Sequence, residues 1–215
     1  MADFHRLYKK FSSRIGAIES RALSIQLQIG RSPSWHLRSL TETMVSDTWQ
    51  LWCVFCRNLL LSSCEGGHSR KGAPVIARRG DNSWKRVGYE AVCAFRGNKP
   101  KPTKVIGSLY QEPTWGDQDK LIDIVGCLSP SNSVQLLTAF GLPLRGPKHL
   151  QIVRNACAHK HRESISKVLA LEIYFVSPKL FTPSDIVWQV EASSGNLGMY
   201  AWLDDLQVIA GEATR

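Results

Sequence analysis

The sequence predicts an all-α fold, a bundle of helices with one basic, irregular insertion. Three observations indicate this class. Residues up to about 61 carry two successive helical repeats of apolar side chains. Residues 65 to about 110 lose that repeat and gain glycine, proline and positive charge. Helix signals then return, so we expect a single domain, 1–215, with its insertion at about 65–110.

The N-terminal helix is predicted from two apolar series, each with a spacing of seven residues and offset by four. These series are Phe4, Phe11, Ile18, Ile25 and Tyr8, Ile15, Ala22, Ile29. Residues three and four apart share a helix face, so the two series form one continuous stripe. The segment from Gly30 to Pro33 is expected to end the helix.

A second long helix is predicted from near Leu37 to Leu61, with Gly66 and Gly67 ending it. Apolar residues recur along it at helical spacings: Leu40, Met44, Leu51, Phe55 and Leu59, with Trp49 and Trp52 widening the stripe.

Residues 65–104 hold six glycines, three prolines and ten Lys or Arg against three acids, which gives +7 of the chain's net +9. We expect an irregular segment with a short strand or hairpin, the strand lying around Tyr89 to Phe95. Cations beside aromatic rings suit phosphate binding and base stacking. The candidate RNA-binding residues are Arg78, Arg79, Lys85 and Arg86. A solvated charged loop is the alternative.

Helix signals return near residue 117. Asp117 is expected to cap a helix through Leu128, and Ser131 one through Phe140 that ends at Gly141. Further helices are predicted from Gly146-Pro147 onward, then through Leu171, and finally from about Met199 to Ala210.

The net charge of +9 and the pI of about 9.4 favour an anionic partner such as nucleic acid, with a basic soluble surface as the alternative. The start of the chain has no apolar signal segment, and the best apolar stretch, Trp49 to Leu61, is too short to cross a bilayer. We therefore expect a cytoplasmic protein with no membrane partner and with six reduced cysteines.

The strongest chemical signal is Arg154-Asn155-Ala156-Cys157-Ala158-His159, followed by Lys160 and His161. On a helix Asn155 and His159 share a face, whereas Arg154 lies about 140° around from His159. A second copy of the helix would close that gap, so a homodimer with one shared cleft is expected. The bland alternative is a cationic helix end that complements its own dipole.

This pair suits metal-independent RNA cleavage. Arginine can bind the scissile phosphate bidentately, and histidine can take the proton of the ribose 2′-OH or protonate the leaving oxygen. No cofactor and no metal are needed for such a reaction. Neither a nucleophile elbow nor a phosphate-binding P-loop is present in the sequence.

The motif at the end of a late helix, together with the all-α pattern, resembles the HEPN superfamily of prokaryotic RNases and toxin components. The resemblance implies an HEPN-like bundle and a homodimeric endoribonuclease, a toxin or antiviral defence effector with an antitoxin or defence-system partner protein. Arg154, His159 and Asn155 are the implied catalytic residues, with His161 and Lys160 in supporting roles. Some members carry a modified tyrosine where this chain has His161, so that form of control does not carry over.

Two other classes remain open. Some HEPN domains lack nuclease activity, so a catalytically silent helical module that binds RNA or a partner protein is the alternative. The ligand types of Cys53, Cys56, Cys64 and His68 match a zinc site. The paired cysteines, however, lie in an apolar helical run without a turn, which favours buried thiols and no metal.

Overall fold

A computed structural model describes residues 2–30 and 34–215, and it confirms the all-α class. The helices of the described chain are α1 (Phe4–Gln26), α2 (Ser34–Glu65), α3 (Trp84–Phe95), α4 (Gln118–Leu128), α5 (Ser133–Phe140), α6 (Gly146–His159), α7 (Arg162–Leu169) and α8 (Gly198–Ala213). Within the same described residues, short 3-10 helices lie at Leu109–Gln111, Glu172–Tyr174 and Pro183–Trp188. None of the described helices has the length and apolar character that crossing a bilayer demands.

The contacts of the chain group it into two compact units. Unit 1 comprises Met1–Phe11, Trp52–Pro143 and Val208–Arg215, and unit 2 comprises Ser12–Leu51 and Leu144–Gln207. The single domain expected from the sequence stays a prediction.

The apolar stripes of the first two helices form core along most of their predicted length. The prediction is wrong at the end of the first helix, because α1 ends at Gln26 and Ile29 lies outside it with half of its surface exposed. In unit 1, Phe11 packs its ring 4.4 Å from that of Phe55 and 6.1 Å from that of Trp52. The indole N–H of Trp52 donates to the carbonyl of Gly116 at 3.0 Å, so this buried tryptophan has its polar atom satisfied. The predicted end of the first helix falls partly on residues 31–33, which lie outside the described residues.

A small three-stranded sheet lies in unit 1, built from β1 (Ala2–Asp3), β2 (Gly67–His68) and β3 (Pro74–Val75). β1 pairs parallel to β2, and β2 pairs antiparallel to β3. A Cβ atom on Gly67 would overlap the carbonyl of Ala2, so the close approach of these strands requires glycine there. The expected short hairpin of the insertion is therefore present, at residues 67–75.

The strand expected around Tyr89 to Phe95 is wrong, because these residues belong to helix α3. The glycines and prolines of the segment lie mostly outside 84–95, and within it Val87 and Ala91 are buried four residues apart on one helix face. Gly88 lies against the side chain of Ile106, where a Cβ would be 2.5 Å from its methyl carbon. Glycine here is a close-packing residue and not a helix breaker.

The helix caps follow the sequence with one correction. Asp117 caps α4, since its carboxylate accepts the N–H of Lys120. Ser131 does not cap α5; Asn132 stands at that position, and the Ser131 hydroxyl instead accepts the N–H of Ile76 at 2.8 Å. The hydroxyl of Ser131 therefore binds the residue that follows β3 and does not cap α5.

In unit 2, hydrogen bonds and close packing hold the first residues of α6 in place. The carboxylate of Asp205 accepts the N–H groups of Arg145 and Gly146 at 3.1 and 2.8 Å. A Cβ on Gly146 would overlap the backbone of Trp202, so α6 lies directly against α8. These contacts fix the start of the helix whose other end carries the Arg154–His159 motif.

Candidate active site

The motif occupies the last turns of α6, where Arg154 and Asn155 are half-buried and His159 is exposed. The helix ends because Lys160 adopts a left-handed backbone with a φ of 45°, and its N–H donates to the carbonyl of Ala156 at 3.0 Å. Glycine is the residue that usually takes this position, because a Cβ is strained there. In this chain a lysine, Lys160, occupies the position.

Arg154 faces a recess of about 310 Å³ between α6 and α2 within unit 2. Three hydroxyl side chains of α2 line it: Ser39, Thr43 and Ser46. The guanidinium of Arg154 donates to the Oδ1 atom of Asn155 at 3.1 Å. Within the described residues it makes no ion pair with a carboxylate, so its positive charge is available to an anion.

Two carboxylates also line this recess, and each already has a cation. Glu42 accepts from Lys160 at 3.0 Å, and Asp47 accepts from Arg21 at 2.8 Å. These ion pairs neutralise the two acids locally. Without them the recess would repel a phosphate that approaches Arg154.

His159 does not line the recess. Its ring lies 6.1 Å from that of His161, with 22° between their planes. Within the described part of the chain no hydrogen bond joins His159 to Arg154. A single chain therefore does not direct both side chains at one atom, which agrees with the helical geometry deduced from the sequence.

The two residues expected in supporting roles both have structural partners. His161 precedes α7 and caps it, since its Nδ1 atom accepts the N–H of Ser164 at 3.2 Å. Its Nε2 atom then carries the proton of the neutral ring. Lys160 is held by Glu42. Both side chains are exposed, and each is bonded to another residue of the chain.

Cys157 lines the recess but is not a suitable nucleophile. Its side chain is buried, and burial raises the pKa of its thiol to about 12. The thiol is therefore protonated at neutral pH, whereas the reactive form of cysteine is the thiolate.

The four candidate RNA-binding residues of the insertion divide into two kinds. Arg78 and Arg86 both bind the carboxylate of buried Glu90, the latter at 2.6 Å, and Arg86 also donates to the carbonyls of residues 101 and 104 at 2.7 Å. Their side chains are only 16% and 13% exposed. Arg79 and Lys85 are exposed and make no ion pair within the described residues.

The cysteine and histidine group considered for zinc lies along the end of α2 and β2. Cys56 and Cys64 are buried, and burial raises the pKa of both thiols, to about 11 for Cys64. Among the described residues, no three side chains of His, Cys, Asp or Glu come together as a group that could hold a metal ion. His68 is exposed, and Cys53 is half-buried.

Sequence reasoning missed the contribution of α2 to the site. Ser39, Thr43 and Ser46 are spaced by four and three residues, which places them on one helix face. That polar stripe, opposite the apolar stripe of the same helix, was a detectable signal. What the spacing did not reveal is that this face lies beside Arg154.

No protein-family model, no curated protein and no solved structure matches this chain. Function is therefore inferred from the residues of the site and their chemistry.

Proposed function

We propose that this protein is a metal-independent endoribonuclease of the HEPN type. Arg154 binds the scissile phosphate, Asn155 orients the guanidinium, and His159 transfers the proton. The observation that carries the proposal is the half-buried guanidinium of Arg154, free of any carboxylate in the described chain, in a recess lined by hydroxyls. Bidentate contact with phosphate is the interaction that such a group makes best.

The reaction follows from the chemistry of RNA. Neutral His159 accepts the proton of the ribose 2′-OH, and the 2′-oxygen forms a bond to phosphorus. The bond between phosphorus and the 5′-oxygen breaks, and that oxygen takes a proton from an imidazolium. The products are a 2′,3′-cyclic phosphate and a 5′-OH end. Because the nucleophile is already held beside the phosphorus, the protein has only to orient it and stabilise charge.

The second part of the proposal is a homodimer in which the ends of two α6 helices meet about a two-fold axis. His159 is exposed and lies outside the recess of its own Arg154, so in a dimer the His159 of a second copy could supply the imidazole for that recess. Closed two-fold assembly places equivalent residues of both chains at one axis. The biological role that we attach to this activity is a toxin or antiviral defence effector, restrained by a partner protein.

The experiment is cleavage of single-stranded RNA by purified protein in excess EDTA. We expect cleavage to persist and to leave 2′,3′-cyclic phosphate ends. Equal mixtures of the Arg154→Ala and His159→Ala variants, unfolded and refolded together, should regain part of the activity, since each heterodimer contains one intact arginine and one intact histidine. No cleavage with or without divalent metal contradicts the nuclease. Cleavage without recovery in the mixture contradicts the shared site.

The separation of His159 from the recess favours a second candidate, a catalytically silent module that binds RNA or a partner protein. This candidate predicts RNA or protein binding that depends on Arg154 but not on His159. Binding and cleavage measured on the same two variants separate the two functions.

A further inference from the structure

A second, larger recess lies within unit 2, between the first turns of α2 and the 3-10 helix Pro183–Trp188. Its volume is about 460 Å³, which falls in the range of ligand sites. The residues that matter in its lining are two aromatics and two cations: Trp188, Phe181, Arg38 and Lys179.

Trp188 forms a fixed wall of this recess. Its indole N–H donates to the hydroxyl of Thr41 at 3.1 Å, and Thr41 is itself buried in α2. The ring is half-buried, so one part is held by the protein while another part faces the recess. A ring that is already immobilised loses little entropy when a flat ligand stacks on it.

Phe181 lies at the solvent-exposed edge of this recess. Its side chain is 93% exposed, although its N–H donates to the carboxylate of Asp185 at 2.8 Å. The same carboxylate accepts the N–H and the hydroxyl of Thr182 at 2.6 and 2.9 Å. Three hydrogen bonds therefore fix a turn that holds a large apolar ring in water, where it contributes nothing to the core.

The charge of the recess indicates an anionic ligand. Arg38 and Lys179 are exposed, and within the described residues neither side chain forms an ion pair or a hydrogen bond. Among the described residues of the lining, Asp185 is the one carboxylate, and it is engaged by its own turn. Rings for stacking beside unpaired cations are the combination that binds single-stranded nucleic acid.

The recess adjoins the candidate active site. Arg38 and Thr41 line it, whereas Ser39 and Glu42, on the same turns of α2, line the recess that holds Arg154. Neighbouring residues of α2 therefore line both recesses.

We propose that this recess binds an unpaired nucleobase of the RNA substrate, stacked on Trp188 and Phe181, with a neighbouring phosphate held by Arg38 and Lys179. The substrate class is single-stranded RNA, because a paired base would first have to be unpaired and unstacked before it could enter the recess. This inference rests on the proposed function for its choice of ligand, and it adds the subsite that positions the strand.

The test uses fluorescence anisotropy with labelled 2′-O-methyl hexaadenylate and hexauridylate, which lack the 2′-OH and are not cleaved. We expect Phe181→Ala to weaken binding by about 5-fold to 150-fold, the range of base–aromatic stacking. Trp35→Ala is the matched control: Trp35 is 69% exposed on the first turn of α2 but does not line the recess, and its removal should leave affinity unchanged. Arg38→Ala and Lys179→Ala should each lower the salt dependence of binding.

An abasic hexamer with the same backbone identifies what the ring contacts. The difference between the parent protein and Phe181→Ala should vanish on it. If Phe181→Ala binds the base-containing hexamers as tightly as the parent, the recess does not hold a base, and a protein ligand for it becomes the better assignment. Failure of the nuclease is a different result: no cleavage of ordinary RNA, with binding that still depends on Phe181, overturns the proposed function and retains the subsite.

Discussion

Arginines of the two units look alike in sequence and differ in structure. In unit 1, Arg78 and Arg86 bind one buried carboxylate, that of Glu90. Arg86 also binds α3 to the segment that contains residues 101 and 104. In unit 2, Arg154 faces a recess and has no carboxylate partner in the described chain. The number of cations in a segment therefore does not measure its capacity for an anionic ligand. The positions of the acidic residues determine whether an arginine is available to bind an anion.

The largest effect is expected at the site of unit 2. His159→Ala and Arg154→Ala should each lower RNA cleavage by about 10²-fold to 10⁴-fold, the usual contribution of a positioned proton-transfer or charge-stabilising group. Stability should change little, because His159 is exposed and the side chain of Arg154 bonds only its neighbour Asn155 among the described residues. Single-turnover cleavage and urea denaturation measure the two quantities.

His161→Ala is the control for that experiment, since it removes a neighbouring imidazole that caps α7. It should reduce stability by about 1 kcal/mol, the usual contribution of an N-cap, and leave most of the activity. Cleavage by His159→Ala at nearly the parent rate would remove the basis of the proposed mechanism.

The next effect concerns unit 1, where adjacent residues provide matched pairs. Arg78→Glu and Arg86→Glu should each lower the free energy of unfolding by about 3–5 kcal/mol, because each replaces one of the two cations that bind buried Glu90 with a like charge. Arg79→Glu and Lys85→Glu make the same charge change one residue away at exposed positions, and they should alter stability by less than about 0.5 kcal/mol. Equal destabilisation within a pair, measured by urea denaturation, would show that Glu90 does not hold these arginines.

A third prediction concerns the buried histidine of unit 2, which contrasts with exposed His159. His149 is enclosed by Tyr174, Phe175 and Trp202, and burial lowers its pKa from 6.5 to about 4, with Arg145 adding to the effect and Glu191 opposing it. The unfolded chain therefore binds a proton between these pH values that the folded chain does not.

The consequence is stability that is present above pH 6.5 and is lost as the pH falls towards 4, by on the order of 3 kcal/mol. His149→Phe keeps an aromatic ring in the same surroundings and removes the titration. The difference in unfolding free energy between parent and variant should change over that pH range and be constant above it. A constant difference throughout would mean that the folded and unfolded chains bind the proton of His149 equally.

The fold was largely predictable and the site only partly so, for physical reasons. Long apolar repeats such as Phe4 to Ile25 determine helices almost regardless of context. The segment around Tyr89 was harder, because Gly88 reads as a breaker in sequence and acts as a contact with Ile106 in the structure. Of the two arginines that bind Glu90, Arg86 lies four residues away on the same helix, a spacing that the sequence shows. Arg78 lies before that helix, and no local pattern indicates that it binds the same carboxylate.

The motif at the end of α6 is visible in sequence because both residues lie on one helix. The hydroxyls of Ser39, Thr43 and Ser46 that share the recess with Arg154 come from a helix more than a hundred residues earlier. Their spacing predicts a polar face, but only packing determines which helix end that face meets.

A smaller effect tests the exposed cations of the insertion. Reversal of both Arg79 and Lys85 to Glu should weaken binding of single-stranded RNA and lower its salt slope by about 0.7 for each phosphate that is no longer neutralised. Cleavage at saturating RNA should change much less, because these residues are assigned to binding and not to chemistry. Titrations at several salt concentrations measure the slope. An unchanged affinity and slope would make the insertion a solvated surface and leave Arg154 as the main anion site.

The smallest effect lies at Lys160, whose left-handed backbone is unusual for a residue with a side chain. Lys160→Gly removes the strain and Lys160→Ala retains it, while both remove the ion pair with Glu42. The glycine variant should therefore be more stable than the alanine variant by about 1 kcal/mol. In cleavage the two should agree, because both expose the carboxylate of Glu42 beside Arg154 and both should weaken binding of the phosphate. Full activity in both variants would mean that Lys160 does not shield Arg154, and that the left-handed lysine serves only to end the helix.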